Sequence, residues 1–249
     1  MGGAPRPVRG GQGTTCAVAV MAKAPRSGLS KTRLCPPLAP DHAAALSAAF
    51  LRDTTDNLFA AARGAPIIPY AAYAPAGSEE AVKLHLAPGT ALVLADGSAA
   101  APSGVDGFGR CLFQAVEALL ILGHAAACVL SSDVPTLPTR LLVEAARLLL
   151  EPGERGVLGA CDDGGYYLLG LKRVHARLFA DIAWSTDAVA GTTRRRAAEI
   201  GLDLVEIEAW YDVDDAAALE RMRTEAHGYG APATRAALSR LAIPDAVTA

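Results

Sequence analysis

A single α/β domain, built on a mostly parallel mixed sheet with helices on both faces, is the fold this sequence predicts. Two observations carry that prediction. Short continuous apolar runs alternate with longer segments of helical periodicity, the pattern of strands buried on both sides. The 249 residues also show no internal repeat and no linker long enough to divide them, and a chain of this length buries a core without staples.

The elements can be justified in order. Residues 1–14 are expected to form a disordered lead-in to a domain at 15–249. The apolar run that follows is short and passes straight into a basic loop, unlike a signal peptide. CAVAVMA (16–22) reads as a first buried strand. Over 41–62, Leu46, Phe50 and Leu58 recur on one helical side, with Asp41 as the expected N-cap. APIIPYAAYA (65–74) is a second strand in which Pro69 implies an edge or a bulge. A short helix at 78–86, a strand at 91–95, a small-residue loop at 96–107 and an amphipathic helix at 108–123 follow. ACVLSS (127–132) is another buried strand, and Pro138 opens a helix at 138–150. Strands at 156–161 and 166–171 flank the turn Asp162-Asp163-Gly164-Gly165. A helix near 187–200, a strand at 202–208, the segment DVDDAAALERMR and a helix near 232–241 complete the chain.

Composition narrows the function. A net charge of −3 and a sequence pI of about 6.0 argue against a nucleic-acid binder, which needs a basic excess. No apolar segment approaches the ~20 residues of a membrane span. The five cysteines are odd in number, form no C-x-x-C and have mostly apolar flanks. They are expected to be free thiols in a reducing cytoplasm, with neither a disulfide framework nor a zinc site.

Ligands of open α/β sheets bind beyond the carboxyl ends of strands, and four stretches fall there. AKAPRSGLSKTRL (22–34) places Lys23, Arg26, Lys31 and Arg33 in one loop, with Gly28 allowing a tight turn. It is either a solvated basic loop or a cradle for phosphate or pyrophosphate. It is not a P-loop, since G-x-x-x-x-G-K-[ST] requires glycine where Pro25 and Ser30 stand. In CVLSSDVPTLP (128–138), Asp133 follows a buried strand, where a carboxylate either holds a hard cation such as Mg²⁺ or caps a turn. In WYDVDDAAALERM (210–222), extended backbone would put Asp212 and Asp214 on the same side, about 6–7 Å apart. Either could join Asp133 at a metal, with Asp212 the better ligand candidate, while Asp214 or Asp215 caps the next helix. In ACDDGGYYLLGL (160–171), Gly164 and Gly165 leave room for a ligand or simply make a hairpin turn. Asp162 and Asp163 stand at its mouth. Tyr166, Leu168 and Gly170 are expected on one strand face, with Tyr166 lining a pocket and Tyr167 packing behind.

Taken in order, K-x-P-x-x-G-x-x-K-T-R-L, S-D-V-P-T-L, D-D-G-G-Y-Y-L-L-G-L, W-S-T and D-V-D resemble one bacterial family over roughly residues 16–225. It is the radical-SAM/selenodomain-associated transferase 1 family, whose members often carry the label glycosyltransferase. The resemblance implies the nucleotide-diphospho-sugar transferase (GT-A) fold, with the phospholactate and molybdenum-cofactor guanylyltransferases as relatives. It implies nucleotide binding by Ala22, Lys23, Gly28, Lys31, Arg33 and Asp96. It implies Mg²⁺ or Mn²⁺ on Asp133 with Asp212 or Asp214, and an acceptor side shaped by Asp163, Gly164, Gly165, Tyr166, Trp184 and Ser185. Lys23, Lys31, Asp133 and Asp163 would form the catalytic set. One departure stands out. Where the family shows Q-x-x-G-D-L-G-E-R-M, this chain has DGSAAAPSGVDGFGRCL, with Gly107-Phe108-Gly109-Arg110-Cys111 at the end.

The leading expectation is a Mg²⁺-dependent nucleotidyltransferase. It would pass NMP from a nucleoside triphosphate to a small phosphorylated or phosphonate-like acceptor and release pyrophosphate. A glycosyltransferase using a nucleotide-diphospho-sugar is the alternative on the same fold. An inactive nucleotide-binding module, suggested by the altered 96–111 segment, is the third.

Overall fold

The computed structural model describes residues 13–225 and 227–241, so most of the lead-in expected at 1–14 lies outside the described residues. Strand β1 (Cys16–Lys23) runs through the middle, and its alternation shows why so apolar a segment was needed there. Val18 and Val20 point to one face of the sheet and Ala17 and Ala19 to the other, all of them buried. β1 leads through a basic loop to helix α1 (Pro40–Ala61), strand β2 (Ile67–Ala74), the short helix α2 (Glu79–Lys83) and strand β3 (Ala91–Leu94). Helix α3 (Phe108–Ile121), strand β4 (Ala126–Leu130) and helix α4 (Thr139–Leu150) follow. The hairpin of β5 (Gly156–Cys161) and β6 (Tyr166–Leu171) comes next, then α5 (Val189–Glu199), β7 (Leu204–Trp210), α6 (Ala216–Thr224) and α7 (Pro232–Arg240). The expected ends lie within two residues of these, except that the helix expected at 78–86 stops at Lys83.

Among the described residues the strands form one seven-stranded sheet in the order β3-β2-β1-β4-β6-β5-β7. β6 runs antiparallel to both its neighbours and every other pairing is parallel. The carboxyl ends of β1, β4, β5 and β7 therefore meet at one edge. The chain reverses its direction of travel across the sheet between β1 and β4, which opens a crevice there.

On one face Leu51 and Leu58 of α1 pack with Leu141, Leu142 and Leu149 of α4 against Val18, Val20 and Leu130. On the other, Leu112, Val116 and Leu119 of α3 and Ala197 of α5 cover Ala17, Ala19 and Val129. Each buried leucine contributes about 1.5–3 kcal/mol of transfer free energy. A third cluster joins Leu34, Leu46 and Phe50 to Tyr211, Val213, Leu219 and Met222. It ties the loop after β1 to the segment after β7. Leu46 and Phe50 thus serve this cluster while Leu58 serves the first, so α1 is buried over a wider arc than one side.

Three local expectations change. Asp41 is not the cap of α1: Ala39 occupies that position and Pro40 begins the helix. Pro69 lies on an inner strand, but β3 pairs with β2 only from Tyr70 onward, so the missing N–H is not needed there. Tyr166 and Leu168 do not share a face. A register shift at Gly159/Ala160 puts Tyr167 and Leu168 against the first cluster and leaves Tyr166 with the second. Tyr167 then lies across Gly159, where any Cβ would collide with its ring, and donates a 2.7 Å hydrogen bond to the carbonyl of Glu208. Among the described residues, no helix is long and apolar enough to cross a membrane.

Candidate active site

A cavity of about 690 Å³ occupies the crevice at the carboxyl edge. Ala22, Lys23, Lys31 and Arg33 line it from the β1 side, and Asp133 lines it from beyond β4. Asp163, Gly165 and Tyr166 line it from the β5–β6 turn, Trp184 and Ser185 from the loop before α5, and Asp212 and Asp214 from beyond β7. Gly28, Asp96 and Gly164 are not brought to its wall. Gly28, at φ +73°, makes an exposed turn. Asp96 folds back to accept hydrogen bonds from the Ser98 N–H at 3.0 Å and hydroxyl at 2.6 Å. Gly164 lets the hairpin turn lie against the approach to α5: Ala190 donates to its carbonyl at 2.9 Å, and a Cβ would stand 2.1 Å from the Asp187 carbonyl oxygen. Its glycine serves packing rather than ligand approach.

The basic loop is partly neutralised from within. The Lys31 ammonium donates to Asp133 Oδ1 at 2.7 Å, to Asp214 Oδ1 at 2.6 Å and to the Val213 carbonyl at 2.8 Å, above the ring of Phe50. Its side chain is 7% exposed. Burial by itself would lower the lysine pKa, but the two carboxylates outweigh it and hold the ammonium above its ordinary value. Arg33 adds a longer contact to Asp214, 3.5 Å, from a largely exposed position. Lys31 (φ +51°) and Ser185 (φ +64°) both adopt left-handed backbone, which costs a residue with a Cβ about 1–2 kcal/mol. Two strained residues on one cavity wall are a concentration that functional sites favour.

The three carboxylates expected to share a cation divide into two groups. Asp133 and Asp214 hold Lys31, whereas Asp212 turns to Asp163. With Cys161 these two form a set whose ligand atoms all lie within 4.8 Å of one another. Asp215, not Asp214, caps α6, accepting from the Ala218 N–H at 2.8 Å. Burial, then the charges of Asp214, Asp163 and Asp133, push the Asp212 carboxyl up to about 6. Burial and the neighbouring aspartates also raise the Cys161 thiol. Sulfur, two carboxylate oxygens and the absence of a basic partner for Asp163 or Asp212 among the described residues make a donor set that suits a divalent cation.

The segment at 96–111 is well held. Arg110 donates to the carbonyls of Gly97 at 2.8 Å and Ala99 at 2.9 Å, and Gln114 accepts from the Gly97 N–H at 2.8 Å. Phe108 meets Trp184 edge to face with centroids 5.8 Å apart. Gly109 admits that indole, since a Cβ there would come within 2.7 Å of the Phe179 carbonyl and 2.9 Å of Trp184 Nε1. Phe108 and Cys111 enter the cavity wall, as do Thr186 and Asp187. Sequence reasoning missed these four and Cys161. For Cys161 the available signal was position, at the end of a strand two residues before Asp163.

The chain belongs to the family described as "Uncharacterized protein conserved in bacteria (DUF2064)", whose profile matches residues 54–186. No curated protein matches the sequence. Among solved structures, one from Desulfovibrio desulfuricans G20, provisionally named a nucleotide-diphospho-sugar transferase, superposes with a TM-score of 0.75 at 22% identity. It covers 91% of this chain and 96% of its own. A CMP:2-keto-3-deoxy-manno-octonic acid synthetase complexed with CTP follows at TM-score 0.52 and 14% identity, covering 84% and 97%. A cytidylyltransferase from Leptospira borgpetersenii serovar Hardjo-bovis stands at 0.50 and 9%, covering 95% and 100%. The fold is that of the nucleotide-diphospho-sugar transferases.

Proposed function

We propose that this DUF2064 member is a cation-dependent nucleotidyltransferase. It would move NMP from a nucleoside triphosphate to a small phosphorylated or phosphonate-like acceptor and release pyrophosphate. The observation that carries this reading is the meeting of Lys23, Lys31 and Arg33 with Asp133, Asp163, Asp212 and Asp214 around one cavity at the sheet's switch point. The volume suits a nucleotide-sized ligand. Neighbours of the same fold include a synthetase with bound CTP and a cytidylyltransferase, and the ordered motifs keep the resemblance to the radical-SAM/selenodomain-associated transferases within this reading.

In this mechanism an acceptor oxygen forms a bond to the α-phosphorus while the bond to the β-phosphate bridging oxygen breaks. Lys23 and Arg33, neither of them enclosed by carboxylates as Lys31 is, bind the β- and γ-phosphates and stabilise the charge that leaves with pyrophosphate. Lys31 is positioned by Asp133 and Asp214 to bridge the basic loop and the acids. A divalent cation held through Asp212 would supply charge neutralisation at the phosphates. Tyr166, Trp184 and Ser185 shape the acceptor side together with the Gly165 turn, and Asp163 stands at its edge beside Asp212.

Pyrophosphate release tests the reading. Each of the five common triphosphates, with Mg²⁺ or Mn²⁺ and a panel of phosphorylated acceptors, should give one productive pair, and Asp133→Asn should abolish it. Triphosphates that neither bind nor turn over would overturn it. The D. desulfuricans neighbour's description favours one second reading, glycosyl transfer from a nucleotide-diphospho-sugar. Release of UDP or GDP from a nucleotide sugar, without pyrophosphate, would select it.

A further inference from the structure

We infer that Cys161, Asp163 and Asp212 form a metal centre for a borderline-soft divalent transition cation, of the Fe²⁺, Co²⁺ or Zn²⁺ class, in preference to Mg²⁺. The inference deepens the proposed reaction but rests on its own geometry. β5 and β7 run parallel with Cys161 opposite Trp210, and a register shift after Gly159 gives β7 one residue more. Cys161 and Asp163 therefore advance along the same edge as Trp210 and Asp212, and the two carboxylates emerge side by side. The Cys161 sulfur and one oxygen of each aspartate lie within 4.8 Å of one another, close enough to meet around a single ion.

A second observation points the same way. Cys161 is 8% exposed, and its sulfur makes no hydrogen bond among the described residues, although it sits beside two carboxylates. Asp163 spends one oxygen on the Gly165 N–H at 2.8 Å, and neither it nor Asp212 has an ion-pair partner among the described residues. The other acids nearby are already matched: Asp133 and Asp214 to Lys31, and Asp162 to Arg221 at 2.8 Å. A cation added to this edge finds its uncompensated charge here.

The donor set decides the metal. Mg²⁺ prefers oxygen in a near-octahedral shell and gains little from sulfur, whereas thiolate raises affinity for later first-row cations and Zn²⁺. Two of the ligands, Asp163 and Asp212, also line the cavity while Cys161 lies behind them. Three protein ligands leave coordination positions open toward the space assigned to phosphate, as in metal sites that act on substrates. On binding, the thiol proton leaves to solvent and the sulfur becomes a ligand, with no redox change.

Co²⁺ titrated into the metal-free full-length protein, without nucleotide, is the test. One equivalent should produce a sulfur-to-cobalt charge-transfer band in the near ultraviolet. The band should vanish in Cys161→Ser and survive in Cys111→Ser, the cysteine that lines the cavity. Asp163→Asn, at an exposed position, should weaken Co²⁺ binding by about tenfold or more while thermal melting shows the fold intact. A hundredfold excess of Mg²⁺ should not displace the ion. Cobalt bound without the band, a band that follows Cys111, or equal competition by Mg²⁺ would each overturn the assignment. Because no nucleotide is present, failure here leaves pyrophosphate release to be judged separately, and the reverse also holds.

Discussion

The ammonium of Lys31 lies 2.6 Å from the carboxylate of Asp214, a residue 183 positions further along the chain. This ion pair, shared with Asp133, locks the loop after β1 to the segments after β4 and β7. The backbone reinforces it, since Val213 donates its N–H to the Asp133 carbonyl at 2.8 Å. The Lys31 ammonium is thus held in place before any ligand arrives, the preorganisation on which charge stabilisation depends.

Removing the ammonium should expose that dependence. Breaking a dry ion pair costs about 3–5 kcal/mol, but Asp133 and Asp214 are each about a third exposed, so Lys31→Met should lose about 1–2 kcal/mol. Melting temperature should fall by several degrees, and triphosphate affinity should drop at least tenfold. In a double-mutant cycle, Asp214→Asn should cost less in the Lys31→Met background than alone. Additive losses would mean that the pair is not coupled.

Asp212 gives a pH dependence of definite sign. Its carboxyl rises from an ordinary 3.8 to about 6 in the fold, so the native state holds the proton more tightly than the unfolded chain. Its contribution to stability is therefore fully present below about pH 4 and is lost as pH climbs through 6. Asp212→Asn should match the parent near pH 4 and exceed it above pH 6. Partial exposure trims the gain to about 1 kcal/mol, measured in metal-free buffer by chemical denaturation across that window.

Gly164 should be far less replaceable than Gly153. Both have positive φ, at +89° and +94°, but only at Gly164 does an added Cβ meet backbone, 2.1 Å from the Asp187 carbonyl. Gly153→Ala should cost only the backbone term, about 1 kcal/mol. Gly164→Ala should cost about 3 kcal/mol or more and shift the loop that carries Trp184 and Ser185. Equal melting temperatures for the two variants would contradict the packing described.

Tryptophan emission offers a ligand-binding readout. The chain has two tryptophans, and only Trp184 lines the cavity, edge to face with Phe108. Trp210 instead stacks on Tyr211 and donates to the Thr136 hydroxyl at 3.3 Å. Saturation with the triphosphate that gives the largest thermal shift should change emission in the parent and in Trp210→Phe. The change should disappear in Trp184→Phe.

Much of this architecture was legible from local pattern. Continuous apolar runs such as AACVL at β4 marked strands buried on both faces because every side chain there meets a helix layer. The positions of Lys23, Asp133, Asp163 and Asp212 just past such runs marked one sheet edge, because parallel strands end together. Harder to read were the faces of Tyr166 and Leu168, since a single bulge shifts side-chain alternation without any signature in composition. Cys161 was read only as a free thiol, because the partner that completes its set, Asp212, comes from the segment after β7, 51 residues further along the chain.

By itself, then, the sequence determined the class of fold, the order of its elements and which loops would gather at one edge of the sheet. Those properties follow from periodicities within a few residues. Only the tertiary structure decided which aspartates hold Lys31, which stand beside Cys161, and that Gly164 packs against the approach to α5. These choices depend on strand register and on contacts between residues far apart in the chain, where a shift of one position redirects every side chain.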